Sequence, residues 1–151
     1  MKNKGFSLVE LIIVIAIMAI LAAAIAPALI RYIDKSRKAD DLTAGGTINS
    51  AVSAALANED AYDELQGTTN QGIGIVSKDY ISIVGGGALS KEISNNLDQK
   101  VSPKYKKEQQ SSFIIWADAK GNITVAANTG SSFTVPDSKW WMQPSIGETY
   151  K

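Results

Sequence analysis

The side chains that could do chemistry in this chain are limited to carboxylates, lysines and hydroxyls. The 151 residues include no cysteine and no histidine. Histidine is the commonest general acid or base, and imidazole and thiolate hold most zinc and copper ions. Nucleophiles that depend on a histidine partner are therefore excluded. The composition favours a protein that is not an enzyme and that has no cofactor.

A basic segment at residues 98–108 is the first candidate site. Four lysines surround Tyr105 there, and such a loop can contact nucleic acid phosphates. Asp98 and Glu108 flank the lysines, and the chain carries 15 basic and 15 acidic residues, so no net charge attracts a polyanion. We expect a solvated loop and no DNA contact. The lysines are Lys100, Lys104, Lys106 and Lys107.

Two further groups of side chains lie in the C-terminal half. Trp140, Trp141 and Met142 form either an adhesive surface or, as we favour, the edge of a small core or a subunit contact. The acids of this half have none of the spacing of a calcium-binding loop, so we predict no metal site. The acids are Asp118, Asp137 and Glu148.

Residues 11–30 form a run without a charged side chain. This run must position any chemistry at the N-terminus. At about 1.5 Å per helical residue it spans roughly 30 Å, the thickness of a bilayer core. The run exceeds the about 7–15 apolar residues of a secretory signal. A cut after Ala26 would also leave Pro27 at the new start. We therefore favour a transmembrane anchor over a signal that is removed.

The stretch Lys4-Gly5-Phe6-Ser7-Leu8-Val9-Glu10 resembles the processing site of type IV pilins and their pseudopilin relatives. It joins a short basic leader, a Gly-Phe junction and a glutamate to an apolar span with a late proline. The resemblance implies that a prepilin peptidase cuts between Gly5 and Phe6 and methylates the new amine of Phe6. It also places the leader in the cytoplasm, whereas the basic residues on both sides of the span leave orientation open.

Glu10 and Pro27 are the residues that this resemblance assigns to assembly. A carboxylate in hydrocarbon is costly unless it is neutralised or paired. The resemblance favours pairing with the Phe6 amine of an adjacent subunit, which would set the register between subunits. A pair within one chain, or a solvated Glu10 at the headgroup level, remains an alternative. Pro27 lacks a backbone donor and is expected to bend the helix.

Beyond residue 30 the apolar positions recur at helical spacing, which predicts that the helix continues to residue 58. We expect it to be flexible at Pro27 and at Gly45-Gly46, because glycine weakens a helix. The predicted divisions are a leader at 1–5, a long helix at 6–58 with a transmembrane and assembly segment at 6–30, and a globular head at 59–151. The apolar face holds Leu42, Ile48, Val52, Ala55 and Leu56. The polar positions assigned elsewhere on the helix are Asp34, Lys35, Lys38, Asp41 and Asn49.

The head shows its clearest pattern at residues 113–127, where two β-rich runs flank a glycine-containing turn and predict a hairpin. Residues 133–135 are expected to add a strand. Residues 59–111 are expected to be mostly loop, with short extended pieces at 73–76 and 80–84, a glycine turn and a short helix at 89–97. The predicted fold is α+β and pilin-like, with the outer half of the long helix packed under an antiparallel β-meander of 3–4 strands.

These features predict a structural subunit of a type IV pilus, polymerised through its N-terminal helix into an extracellular filament for adhesion, motility or biofilm. The expected partners are further copies of the chain in a helical homopolymer, prepilin peptidase, the pilus assembly machinery and, before assembly, the lipid bilayer. The prepilin would cross the inner or cytoplasmic membrane once. The alternatives are a pseudopilin of a secretion or DNA-uptake system and a membrane-anchored adhesion domain that does not polymerise.

Overall fold

The chain forms two compact units, residues Met1–Ser36 and Arg37–Lys151. The computed structural model describes residues 5–66, 71–77, 81–84, 86–97, 100–105, 110–118, 122–128 and 137–151. One helix, α1 (Leu8–Ala55), begins in the first unit and ends in the second. The long N-terminal helix predicted from the apolar pattern is therefore confirmed.

The first unit consists of the N-terminal part of α1. Residues 5–33 are all exposed, although most of them are apolar. By its length and composition, this helix could cross a membrane. Pro27 lies inside α1 and does not end it. An apolar helix that buries none of its surface within its own chain needs lipid or other chains to cover it.

In the second unit, α1 turns one face toward the core. Its buried residues recur every three or four positions, as expected for a helix with one covered side. The helix ends at Ala55, earlier than the predicted residue 58, because Asn58 begins the next helix, α2 (Glu59–Gln66). The Asn58 side chain accepts a hydrogen bond from the backbone N–H of Asp60 at 3.0 Å. The buried residues of α1 are Asp41, Gly45, Ile48, Ala51, Val52 and Ala55.

The head contains a five-stranded antiparallel sheet with the order β2-β1-β3-β4-β5. The predicted hairpin is confirmed as β3 and β4, in which Ile115 lies opposite Val125. The prediction of 3–4 strands was too low, because it did not include β5, a strand of three residues that directly follows a 3₁₀ helix at Ser138–Trp140. Residues 133–135 lie outside the described residues. The strands are β1 (Gln71–Ser77), β2 (Ile81–Ile83), β3 (Ser112–Ala117), β4 (Ile123–Asn128) and β5 (Trp141–Gln143).

Both faces of the central strand β3 are covered. Phe113, Ile114 and Ile115 are each 0% exposed, although successive side chains of a strand point to opposite faces. They share one apolar cluster with Ile48 and Val52 of α1. The core of the head therefore extends on both sides of the sheet, and the outer half of α1 supplies part of it.

The extended pieces predicted at 73–76 and 80–84 correspond to β1 and β2, and the short helix predicted at 89–97 is confirmed as α3 (Ala88–Asn96). Helix α2 was not predicted, so this region contains less loop than expected. Glu64 of α2 accepts a hydrogen bond from the backbone N–H of Leu89 at 2.9 Å, so its carboxylate satisfies a donor in the first turn of α3. A Cβ atom at Gly87 would lie 2.5 Å from Glu64 Oε2, which explains a glycine immediately before the helix.

Gly45 and Gly46 do not interrupt α1, and the two glycines have different environments. A Cβ atom at Gly45 would lie 2.9 Å from both the Cβ and the Sδ atoms of Met142, in strand β5. A Cβ atom at Gly46 would have no neighbour within 4 Å. The first glycine therefore permits close packing of β5 on the helix.

Substitution of each glycine by alanine should change stability in opposite directions. We expect Gly46→Ala to raise the free energy of unfolding by about 0.5–1 kcal/mol, because alanine restricts the unfolded chain and favours helix. Gly45→Ala should lower it by about 1–3 kcal/mol through overpacking against Met142. Urea unfolding of the two variants in detergent tests this. A stabilised Gly45→Ala variant would show that Met142 moves aside freely.

Candidate processing and assembly site

Gly5 and Phe6 lie immediately before helix α1, in backbone that is not helical. Phe6 is 83% exposed, and a Cβ atom at Gly5 would have no neighbour within 4 Å. A protease binds its substrate as an accessible, unfolded segment. The peptide bond between these two residues meets that requirement, because both residues are exposed and lie outside the helix.

Glu10 closes the first turn of its own helix. Its Oε2 atom accepts a hydrogen bond from the backbone N–H of Ser7 at 2.9 Å, and the Ser7 carbonyl accepts the first helical bond from Leu11 at 3.2 Å. A serine before the first helical residue with a glutamate three residues later has the spacing of a capping box, and the glutamate's bond of that motif is formed here. The Ser-x-x-Glu spacing was visible in the sequence, but the sequence interpretation missed this role.

The capping box gives Glu10 a partner within one chain, yet that partner is neutral. The backbone N–H of Ser7 engages one carboxylate oxygen, and a carboxylate has two oxygens that can accept. Gly5, Phe6 and Glu10 thus lie together at the start of α1. Pro27 lies 17 residues after Glu10 on the same helix, roughly 25 Å away along the axis, and belongs to no common site with them.

The described part of the basic segment faces acids of α1. Lys104 Nζ lies 3.0 Å from Asp40 Oδ2 in an exposed ion pair. The Lys38 ammonium lies 5.0 Å from the centroid of the Tyr105 ring. Lys106 and Lys107 lie outside the described residues. An exposed ion pair contributes only about 0–1 kcal/mol, so these contacts are local and give no evidence of a phosphate site.

The C-terminal acids serve as local caps in the structure. Asp118 accepts hydrogen bonds from the backbone and side chain of Asn122, both at 2.8 Å, and Asp137 accepts one from the backbone N–H of Lys139 at 3.1 Å. Among the described residues no three acidic side chains gather in a way that could hold a metal ion. Trp140 and Met142 are buried, as the packing interpretation predicts.

Asp41 is the residue that the sequence interpretation placed wrongly. It was assigned to the polar side of α1, but its side chain is 1% exposed. Its Oδ1 atom accepts the backbone N–H of Lys104 at 2.6 Å, and Oδ2 accepts the N–H of Tyr105 at 3.0 Å and the hydroxyl of Tyr150 at 3.4 Å. One signal was available, because Asp41, Gly45 and Ile48 fall on one helical face.

Burial has the largest effect on the pKa of the Asp41 carboxyl group. It raises the pKa of Asp41 above its usual value, and although the hydrogen bonds from Lys104, Tyr105 and Tyr150 act in the opposite direction, they do not cancel the effect. The neighbouring Asp40 raises the pKa slightly further. Burial also raises the pKa of Tyr150, and the negative charge of Asp41 adds to it. Tyr150 is therefore a hydroxyl donor at neutral pH.

The raised pKa of Asp41 predicts a pH-dependent stability. Since the folded state binds the proton more tightly than the unfolded state, this group's contribution is fully present below its unfolded pKa of about 3.9 and is lost as pH rises through the folded value. The unfolding free energy of the wild type minus that of the Asp41→Asn variant should therefore decrease as the pH rises from acid to neutral. Urea titrations of both chains at several pH values measure it. A difference that rises with pH would contradict the assignment.

Comparison with known proteins bears on the N-terminal site. Residues 1–26 match the family model described as the prokaryotic N-terminal methylation motif. The chain is 44% identical over 82 residues to the type IV major alpha-pilin of Moraxella bovis, covering 51% of this chain and 50% of that protein. It is 33% identical over 78 residues to a fimbrial protein of Moraxella nonliquefaciens, covering 52% of this chain and 51% of that protein.

The chain thus spans about half the length of each of these two relatives. No solved structure matches it significantly. The fold nevertheless has the expected α+β arrangement of a long N-terminal helix followed by a small antiparallel sheet. The methylation motif lies on the exposed apolar helix, and over about half of its length the chain is similar to a type IV pilin and a fimbrial protein.

Proposed function

We propose that the chain is a structural subunit of a type IV pilus. A prepilin peptidase cuts it between Gly5 and Phe6 and methylates the Phe6 amine, and the mature chains polymerise through α1. The observation that carries the proposal is the methylation motif at residues 1–26, because it overlaps an apolar helix that the chain leaves exposed. The function is structural.

Two environments cover the exposed helix in succession. Before assembly, α1 crosses the inner or cytoplasmic membrane with the leader inside and the head outside. After cleavage the same apolar surface packs against the helices of other copies in a surface filament. The alanines of residues 19–28 support this exchange, because small side chains allow helices to approach closely in lipid, where no hydrophobic force drives association.

Glu10 is the proposed contact that sets the register of assembly. Within one chain its carboxylate is held by the neutral N–H of Ser7. After cleavage, the methylated amine of Phe6 in an adjacent subunit would bring a positive charge to the second carboxylate oxygen. A charge-assisted hydrogen bond is roughly twice as strong as a neutral one, and in an apolar surrounding it has no competition from water.

Mass spectrometry of the protein taken from sheared surface filaments tests the proposal. We expect a chain that starts at Phe6 with one added methyl group, and no filaments in cells that lack this gene. Cells without the peptidase should retain the chain in the membrane with residues 1–5 attached. A surface protein with an unmodified Met1 or with a cut elsewhere would overturn the processing site, and a processed chain found only in the membrane would overturn the pilus role.

A further inference from the structure

Three separate parts of the head meet at the Asp41 carboxylate. The carboxylate itself belongs to α1 and is buried. The segment 100–105 contributes two backbone donors, Lys104 N–H and Tyr105 N–H. The final turn, Glu148–Tyr150, contributes the Tyr150 hydroxyl. One side chain therefore contacts two segments that lie 63 or more positions away along the chain.

Aromatic packing surrounds this contact. The rings of Tyr105 and Tyr150 lie edge to face with centroids 6.2 Å apart, and those of Trp140 and Tyr150 do so at 6.3 Å. Such edge-to-face pairs stabilise the packing beyond the effect of the area that they bury. Because the rings belong to the same segments that the Asp41 carboxylate holds, the polar and aromatic contacts reinforce each other.

Among the described residues, a short strand joins the segment 137–151 to the sheet. Strand β5 is three residues long and pairs with β4 at Val125 with Gln143 and at Ala126 with Trp141, across an irregular register. No disulfide can hold it, because the sequence has no cysteine. Met142 packs against Gly45 of α1 and supplies the apolar part of the attachment.

We propose that Asp41 is a non-covalent clasp that fastens both segment 100–105 and segment 137–151 to helix α1. The two backbone donors fix the position of the first segment, and that segment's Tyr105 then supports Tyr150 of the second. When the carboxylate is lost, the backbone N–H groups of Lys104 and Tyr105 lose the acceptor that satisfies them. The two segments should then open together, as a local unit, while the β3–β4 hairpin stays folded.

Hydrogen exchange of the detergent-solubilised full chain tests the clasp, with Asp41→Ala as the variant. We expect the amide protons of Lys104, Tyr105, Gly147 and Tyr150 to exchange about tenfold faster or more, and those of the β3–β4 ladder to remain unchanged. The matched control is Asp40→Ala, because Asp40 is the adjacent, exposed acid and its loss removes only the Lys104 ion pair. The control should leave all these rates within about twofold.

Tyr150→Phe provides a second variant, which loses only a hydroxyl and keeps the ring. It should raise exchange at Gly147 and Tyr150 and leave Lys104 and Tyr105 protected by the carboxylate. If the Asp41→Ala chain does not fold, the exchange rates of the same amide protons are measured in the Asp41→Asn and Tyr150→Phe variants instead. Exchange that rises equally in the β3–β4 ladder would overturn the clasp, since Asp41 would then support the whole head. Unchanged rates at Lys104 and Tyr105 would overturn it as well.

Discussion

Glu10→Gln chains are expected to enter the membrane and to be processed normally but to form no filaments. Glutamine at this position can still accept the backbone N–H of Ser7, because glutamate and glutamine both serve in a capping box. The start of α1 therefore stays intact, and only the negative charge is lost. Removing one partner of a buried ion pair costs about 3–5 kcal/mol, which lowers an association constant by a hundredfold or more.

Filament yield by electron microscopy, together with the amount of processed chain in the membrane fraction, measures this effect. Glu59→Gln is the matched control, because Glu59 is an exposed acid in the first turn of α2 and lies in the head. It should assemble like the wild type. Glu10→Lys should fail completely, since it brings a like charge to the Phe6 amine. If Glu10→Gln chains assemble at the wild-type level, Glu10 acts as a helix cap and not as the charged partner.

Gly5→Val chains are expected to keep their leader and to yield no filaments. The substitution does not disturb the described fold, because a Cβ atom at Gly5 would have no neighbour within 4 Å. Its effect should therefore lie in recognition by the peptidase. A branched side chain beside the scissile carbonyl would keep the substrate backbone from approaching the peptidase closely. Catalysis is sensitive to such displacement, and about 1 Å can lower the rate roughly a hundredfold.

The mass of the membrane-bound chain reports the outcome directly, since residues 1–5 are either present or absent. Gly46→Ala serves as the control, because it replaces an equally uncrowded glycine outside the processing site. Its N-terminus should be processed and methylated as in the wild type. Normal cleavage of Gly5→Val before Phe6 would show that the peptidase does not require a glycine at position 5, and the processing site would then rest on the residues that follow it.

The parts of the head that depend on a pattern of neighbouring residues could be predicted from the sequence. The hairpin of β3 and β4 follows from two β-rich runs and a turn, and the pairing of the two strands is confirmed. Strand β5 and helix α2 were missed, because three residues and eight residues carry too little periodicity for a prediction. Asn58 shows the same limit of short-range patterns. The sequence places it at the end of one helix, whereas in the structure its side chain caps the next helix.

The N-terminal features were determined by the sequence itself. The charge-free run of residues 11–30, the Gly5-Phe6 junction and the Ser7-Glu10 spacing each depend on neighbours in the chain. The proposed membrane insertion, the proposed recognition by a peptidase and the capping of the helix each depend on a contiguous stretch of residues. That part of the chain therefore supports its interpretation without any knowledge of the head.

Only the tertiary structure decided the roles of Asp41 and Gly45. Asp41 is polar by type, and its burial depends on backbone donors 63 and 64 positions away and on a hydroxyl 109 positions away. Gly45 looks like a weak point in a helix until Met142 of β5 is found against it. The physical reason is the same in both cases: the free energy of a buried charge or of a missing side chain is set by what packs against it, and those partners come from remote parts of the chain.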